Sequence, residues 1–192
     1  DGPIMPVHPE HRAIEGVLTY PDIQALPEVP DLAVLATPPE TLPKLIAELG
    51  QRGTRGVVVI TAGFGKGSDS VDKDLHQQLL DAARPHILRI VGPNCLGVMV
   101  PKIGLNASFA PASPLFGHLA FVAQSGAIMT TVLDWANAMG IGFCHFVSLG
   151  DKADDGSQLR PYIVWFGEAV PMMDDAIQAL RDADIFVIIG TS

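Results

Sequence analysis

The sequence has few charged residues, fewer basic than acidic ones, and only two cysteines. Charged residues make up 17 % of its 192 residues, and 12 basic against 21 acidic residues give a formal net charge of −9. Nucleic-acid-binding proteins normally carry a basic face, so we expect no nucleic-acid partner. Its two cysteines, Cys95 and Cys144, lie far apart with no CxxC spacing. This argues against a disulfide scaffold or a structural zinc site and suits a reducing compartment.

Long apolar runs and a recognisable targeting segment are also missing. No run of about 18 uncharged apolar residues occurs, so we expect neither a membrane-spanning helix nor a membrane partner. The opening Asp1-Gly2-Pro3 does not begin a charged-then-apolar signal peptide. At 48 % hydrophobic residues, the chain has enough apolar side chains to form a core. The sequence therefore predicts a folded, cytoplasmic protein.

Short apolar runs that end at Gly or Pro alternate with segments of helical periodicity, and several runs are nearly continuous, as in strands that are covered on both faces. The predicted strands are Ile4–Val7, Leu32–Ala36, Gly56–Thr61, Leu88–Gly92, Leu119–Ala123, Gly142–Leu149, Tyr162–Phe166 and Asp184–Ile189. The predicted helices are Pro39–Gln51, Val71–Ala83, Ile128–Met139 and Met172–Asp182. This alternation predicts an α/β fold with mostly parallel sheets and helices on both faces.

Two discontinuities divide the chain. Two prolines and small residues at 110–114 predict a boundary between a unit of residues 1–114 and a unit of residues 115–192. Residues 151–192 hold 8 of the 21 acidic and 3 of the 12 basic residues, so more than half of the net negative charge lies in this last stretch. The acidic start of that stretch, with Asp151, Asp154 and Asp155, is typical of a solvated linker.

The corners that follow the predicted strands are rich in Gly, Pro and small hydroxyl residues, for example Thr37-Pro38-Pro39 and Gln124-Ser125-Gly126. In an open parallel sheet, ligands bind at the carboxyl ends of the strands. Small residues there let a ligand approach backbone N–H groups, and helix N-termini attract phosphate. The corners therefore favour a phosphate-bearing cofactor over a proton-transfer centre, and we identify no catalytic residue and no metal site.

Three local motifs suggest other chemistry but lack essential parts. The glycine-rich segment 63–68 has Gly67 where a Walker loop needs Ser or Thr after the lysine. Ser125 follows a strand as a nucleophile does, but no acid-then-histidine order lies downstream of it, and a helix cap is the favoured interpretation. His8 and His11 form an HxxH with no third metal ligand nearby in the sequence.

An ordered series of motifs connects residues 2–155 to a known family: "PVHPEH", "DLAVLATPPE", "GVVVITAGFG", "RIVGPNCLGVMVP", "GLNASFAP", "LAFVAQSGAI", "LDWANAMGIGF" and "SLGDKADD". They resemble the CoA-binding and succinyl-CoA-ligase-like domains of ADP-forming acyl-CoA synthetases, and especially the synthetase-like half of bacterial protein lysine acetyltransferases. The resemblance implies Rossmann-like and flavodoxin-like domains that bind CoA or acyl-CoA. The cofactor-binding residues it implies, together with the adjoining strand-end residues, are His8, Thr37, Pro38, Pro39, Thr61, Ala62, Gly63, Phe64, Pro93, Asn94, Cys95, Gln124, Ser125 and Gly126.

The chain also departs from that family. The family's domain begins with a further strand and a glycine-rich turn ahead of "GPIMPVHPEH", and no segment resembles its phosphohistidine loop, its grasp-type nucleotide domain or an acetyltransferase domain. We therefore expect no turnover by this chain alone. A missing strand leaves an unpaired edge beside Ile4–Val7 or Leu32–Ala36, which predicts a homodimer or a strand exchange. Asp184–Ile189 is one segment that would fill the gap.

Residues 157–192 resemble a different family, through "VWFGE" and "IGTS". These motifs are similar to a βαβ piece of a bacterial sirtuin deacetylase, whose catalytic histidine, zinc cysteines and glycine-rich NAD motif are not found here, so we expect no NAD. Three interpretations stay open: a CoA-binding fragment without turnover, a recombined or engineered α/β chimera without a ligand, and a remnant of an NAD-dependent deacylase.

Overall fold

The computed structural model describes residues 2–63, 70–151 and 185–188. Near the start, β1 (Ala13–Ile14) and β2 (Val17–Leu18) form a short antiparallel hairpin. The predicted strand Ile4–Val7 is wrong, because in this segment only Val7 forms a bridge, to Tyr20. Pro3 precedes the segment and Pro6 lies within it, and proline has no N–H to donate to a sheet.

A three-stranded parallel sheet follows, in the order β3 (Leu32–Leu35), β4 (Gly56–Val59) and β5 (Arg89–Val91). The helices α1 (Leu42–Arg52) and α2 (Ser70–Ala83) connect these strands in turn. Strands and helices thus alternate in the β-α-β-α-β order that the sequence pattern predicts.

The two faces of this sheet are covered differently. On one face, Leu42, Ile46 and Leu49 of α1 pack in one buried cluster with Val57 and Val59 of β4. Alternate residues of a strand point to opposite faces, and Val58 packs instead with Cys95 and Ala107. In the described residues the β-hairpin that contains Ala107 covers this second face.

That hairpin belongs to a mixed five-stranded sheet. Its strands are β6 (Gly97–Val100), β7 (Leu105–Ser108), β8 (Phe116–Ala123), β9 (Phe143–Ser148) and β10 (Ile185–Ile188), in the order β10-β8-β9-β6-β7. The pairs β10–β8 and β8–β9 are parallel, whereas β9–β6 and β6–β7 are antiparallel. Helix α3 (Gly126–Ala138) connects β8 to β9 and packs Met129 and Leu133 against Phe121 and Phe146.

The structure confirms the α/β fold class and its parallel strands, with three differences. The hairpin β6–β7 was not predicted from the sequence. The predicted division at residue 114 lies between β7 and β8, which are strands of one sheet, and the division itself stays a prediction. Finally, β10 pairs with β8 of its own chain, so the suggestion that Asp184–Ile189 fills the edge beside β3 is wrong. The predicted strand Tyr162–Phe166 and helix Met172–Asp182 lie outside the described residues.

Candidate functional site

A cavity of about 650 Å³ opens where the carboxyl ends of strands from both sheets meet. It is lined by residues of the corners after β4, β5, β8 and β9 and by the residue after β7. Its lining residues are Ile60, Ala62, Asn94, Cys95, Leu96, Phe109, Gln124, Ser125, Gly126, Ala127, Thr130, Gly150 and Asp151. The cavity thus lies in the position that ligands occupy in open α/β sheets.

The corner after β5 is the central wall of this cavity, and hydrogen bonds to its neighbours hold it. The Asn94 N–H donates to the Thr61 carbonyl at 2.9 Å, after β4. The Leu96 N–H donates to the hydroxyl of Ser148 at 2.9 Å, and Ser148 is fully buried at the end of β9. Because each bond comes from a different strand end, the corner is fixed relative to both sheets.

The corner after β9 approaches this wall very closely. The Asp151 N–H donates to the Pro93 carbonyl at 2.8 Å. A Cβ atom on Gly150 would lie 2.1 Å from the Pro93 oxygen, and Gly150 has a φ of +57°. Only glycine combines this conformation with so close an approach of two backbones.

Cys95 lies beneath the cavity wall with its thiol turned to the backbone. Its side chain is buried, and the thiol donates to the Val59 carbonyl at 3.2 Å. Burial raises the pKa of Cys95 to about 11, because a thiolate loses its hydration there. The group is therefore a protonated thiol at neutral pH, a state that is a poor nucleophile.

The N-terminus of α3 forms another side of the cavity. Ser125 is the N-cap, and its hydroxyl accepts the N–H of Ile128 at 3.4 Å. This confirms Ser125 as a helix cap. The first turn leaves backbone N–H groups without partners in the helix, which favours the negative end of a dipole or an anion nearby.

One charged side chain, Asp151, stands among the cavity-lining residues that the structure describes. Its carboxylate accepts a hydrogen bond from the Asn94 side-chain amide at 3.3 Å. Among the same described residues, no group of three or more His, Cys, Asp or Glu side chains is placed to hold a metal ion. No helix in the described part of the chain is long and apolar enough to span a membrane.

The cavity brings together six of the residues predicted from the sequence. These are Ala62, Asn94, Cys95, Gln124, Ser125 and Gly126, and they come from three different strand ends. Residues of separate strand ends therefore line one cavity, and their role in binding a cofactor stays a prediction.

A second predicted group lies together at the ends of β3 and β4. The Thr61 hydroxyl donates to the Thr37 carbonyl at 2.7 Å. A Cβ on Gly63 would lie 3.8 Å from the ring of Pro39, so the two corners are in contact. Pro38 is exposed beside them.

The other predicted residues are placed differently. Pro93 is fully buried and contributes its carbonyl to the contact with Asp151 rather than a surface to the cavity. The Nδ1 atom of His8 accepts the N–H groups of Glu10 and His11, so this ring stabilises its own turn and is not among the lining residues. Phe64 lies outside the described residues.

The sequence reasoning missed several lining residues, above all Phe109 and Asp151. Asp151 follows β9 directly and so obeys the same strand-end rule as the others, but its acidic neighbours made it resemble a linker. Phe109 follows β7, which was not predicted as a strand. Phe109 could have been found only by first recognising the hairpin strand β7 in the sequence.

Comparison with known proteins assigns a family to this fold and site. Residues 1–101 match the model of the CoA binding domain. The chain belongs to this CoA-binding domain family. Residues 116–158 of the same chain match the succinyl-CoA ligase like flavodoxin domain, which confirms the predicted pair of resemblances.

Relatives of this CoA-binding domain chain are ligases that are much longer than it. It is 40 % identical over 152 residues to the ADP-forming acetate–CoA ligase I of Archaeoglobus fulgidus, covering 79 % of this chain and 22 % of the relative. It is 39 % identical over 154 residues to the corresponding ligase of Methanocaldococcus jannaschii, covering 80 % and 21 %. The chain therefore spans about a fifth of these relatives.

Solved structures agree in fold. A protein of Pyrococcus horikoshii OT3 superposes with a TM-score of 0.73 at 34 % identity, over 78 % of this chain and 34 % of that one. The dinucleotide-forming acetyl-coenzyme A synthetase 1 of Ca. Korarchaeum cryptofilum gives 0.72 at 32 % identity, over 78 % and 32 %.

A further similarity concerns a short segment. An NAD-dependent protein deacylase of Bacteroides thetaiotaomicron is 67 % identical over 46 residues, which are 24 % of this chain and 20 % of the deacylase. This confirms the sirtuin-like resemblance.

Proposed function

We propose that the chain is a CoA- or acyl-CoA-binding fragment that does not turn over a substrate by itself. The observation that carries the proposal is the convergence of predicted residues from separate strand ends on one cavity of about 650 Å³. This volume is typical of a small-molecule site. The family match and the ligase relatives support CoA as the ligand.

The charge of the cavity supports different places for the two ends of the ligand. Asp151 is the single formally charged side chain among the described lining residues, and its carboxylate opposes the attraction that the N-terminus of α3 exerts on a phosphate. The uncharged pantetheine and thioester end is therefore the part that fits the cavity. The nucleotide end then belongs towards the corners after β3 and β4, where Pro38 and Gly63 are exposed.

The state of the polar side chains supports binding without turnover. The Cys95 thiol is protonated and donates to a carbonyl, and the Ser125 hydroxyl caps a helix. Neither forms a hydrogen bond with a base that would activate it, as nucleophilic catalysis requires. Of the two roles, positioning and reaction, the described residues supply the first.

A titration with CoA tests the proposal. Binding to the native state stabilises it by about 2.7 kcal/mol when CoA is present at a hundred times its Kd, so the midpoint of thermal unfolding rises with CoA concentration. Ala62→Trp fills the cavity and abolishes the rise. Ala112→Trp, at an exposed loop position that is not among the described lining residues, is the matched control and keeps the rise. If millimolar CoA leaves the unfolding midpoint of the parent protein unchanged, the proposal is contradicted.

A chimeric scaffold without a ligand is the second candidate. It is favoured by the change of resemblance from the ligases to the deacylase, by the charge step at residue 151, and by the pairing of β10 with β8. In this case neither CoA nor NAD shifts the unfolding midpoint. Stabilisation by NAD instead supports the deacylase remnant, and an intact natural gene that crosses residues 150–160 contradicts a recombined origin.

A cytoplasmic location accords with both candidates. Cys95 and Cys144 are free thiols, and free thiols persist in a reducing compartment. The likeness to the synthetase-like half of lysine acetyltransferases is a further part of this proposal and rests on the sequence motifs alone.

A further inference from the structure

We propose that Phe109 is a specificity-determining residue that senses the acyl group of a bound acyl-CoA. The inference rests on the proposed function and adds to it a side chain that distinguishes an acyl-CoA from free CoA. It follows from the placement of one exposed ring at a cavity whose other large apolar side chains are covered.

The backbone around Phe109 is held on both sides. Its N–H donates to the Leu96 carbonyl at 3.2 Å, which ties the end of β7 to the central cavity wall. The following N–H, of Ala110, donates to the Ser108 hydroxyl at 3.3 Å. The ring therefore projects from a fixed point beside Leu96, and a fixed point is what a selective contact requires.

The Phe109 ring is also the apolar surface that a ligand gains most by covering. It is 62 % exposed although it lines the cavity, whereas Leu96 is 3 % exposed and Ile60 is partly buried. Apolar area removed from water on binding is the source of hydrophobic affinity. Of these described side chains, Phe109 therefore offers the largest gain to an apolar group.

The identity of that group follows from charge. The nucleotide end of CoA carries several phosphate charges, and the Asp151 carboxylate opposes the attraction that the N-terminus of α3 exerts on them in the same cavity. The thioester end is uncharged, and the acyl chain is its apolar part. The geometry thus points to the acyl chain, rather than the adenine ring, as the partner of Phe109.

The experiment compares CoA with acetyl-, propionyl- and butyryl-CoA by calorimetric titration of the full chain. A methylene that is covered by the ring raises affinity roughly two- to fourfold, so the affinity of the parent protein increases along the series. Phe109→Ala flattens the series, so that butyryl-CoA loses more affinity than CoA itself. Phe109→Leu restores part of the slope.

Phe116→Ala is the matched control, since Phe116 is 58 % exposed and is not among the described lining residues. It keeps the slope of the parent protein. An unchanged slope in Phe109→Ala overturns the inference while CoA binding stands. An equal loss of affinity for all four ligands also overturns it, because the ring then stacks on the nucleotide. Failure of the parent protein to bind CoA overturns the proposed function together with this inference.

Discussion

Cys95 shows how burial decides the chemistry of a group that lines the candidate site. Its pKa of about 11 leaves about a thousandth of the thiol ionised at pH 8. We expect iodoacetamide to modify Cys144 at least tenfold faster than Cys95 at this pH, as measured by mass spectrometry of digests. Rapid modification of Cys95 in the folded protein contradicts the burial described above.

The same thiol makes stability depend on pH. Its folded pKa is raised from 9.0 to about 11, so the contribution of Cys95 to stability is complete below about pH 9 and is lost as the pH rises through 11. The urea midpoint of the parent protein therefore falls over this interval more than that of Cys95→Ala, which has no thiol to ionise.

Strand-end residues were predictable because their position depends on a rule of topology rather than on detail. Asn94 and Ser125 follow apolar runs, and parallel strands bring such positions to one edge. The role of Asp151 was not predictable, because its partner Asn94 is 57 residues away in the chain. Composition near a residue reports its neighbours in sequence and not those in space.

The corner after β9 is expected to govern both stability and ligand binding. Gly150→Ala introduces a Cβ that would lie 2.1 Å from the Pro93 oxygen, so the two backbones must separate and the cavity deforms. Gly140→Ala is the control, since Gly140 has a similar φ of +69° but no atom within 4 Å of the added Cβ. Gly140→Ala destabilises the protein only by the strain of an alanine at positive φ, about 1 kcal/mol.

We therefore expect Gly150→Ala to be destabilised more than Gly140→Ala by urea unfolding, and to lose CoA binding that Gly140→Ala retains. Equal effects of the two substitutions would show that the approach of the two corners is not needed.

The helices and the apolar run of β4 were predictable from the sequence, whereas the hairpin β6–β7 was not. Helices α1 and α3 repeat buried residues every three or four positions, and β4 is an unbroken apolar run. The hairpin strands are as short as β4, with four residues each, but the sequence does not show which earlier sheet they will cover. The two-sided burial of the hairpin is a property of the assembled sheets.

The open edge of the three-stranded sheet concerns the assembly of the whole protein. In the described part of the chain β3 pairs only with β4, and Val34 is 46 % exposed. Such an edge favours pairing with another chain. We expect a homodimer that Val34→Lys converts to a monomer, as measured by light scattering, because an edge charge opposes pairing.

Ile103→Lys is the matched control, at a position that is 64 % exposed and lies outside any strand. It leaves the dimer unchanged. A monodisperse monomer of the parent protein removes the prediction of a dimer.

The place of β10 and of the hairpin has a consequence for how such a chain tolerates exchange of its parts. Among the strands described, β10 has β8 as its single neighbour, so a foreign piece that supplies a strand there needs to satisfy one set of pairings. The hairpin belongs to one sheet and seals Val58 of the other. We therefore expect this fold to accept an exchanged segment at β10 more readily than at β9 or β6, which have a neighbouring strand on each side.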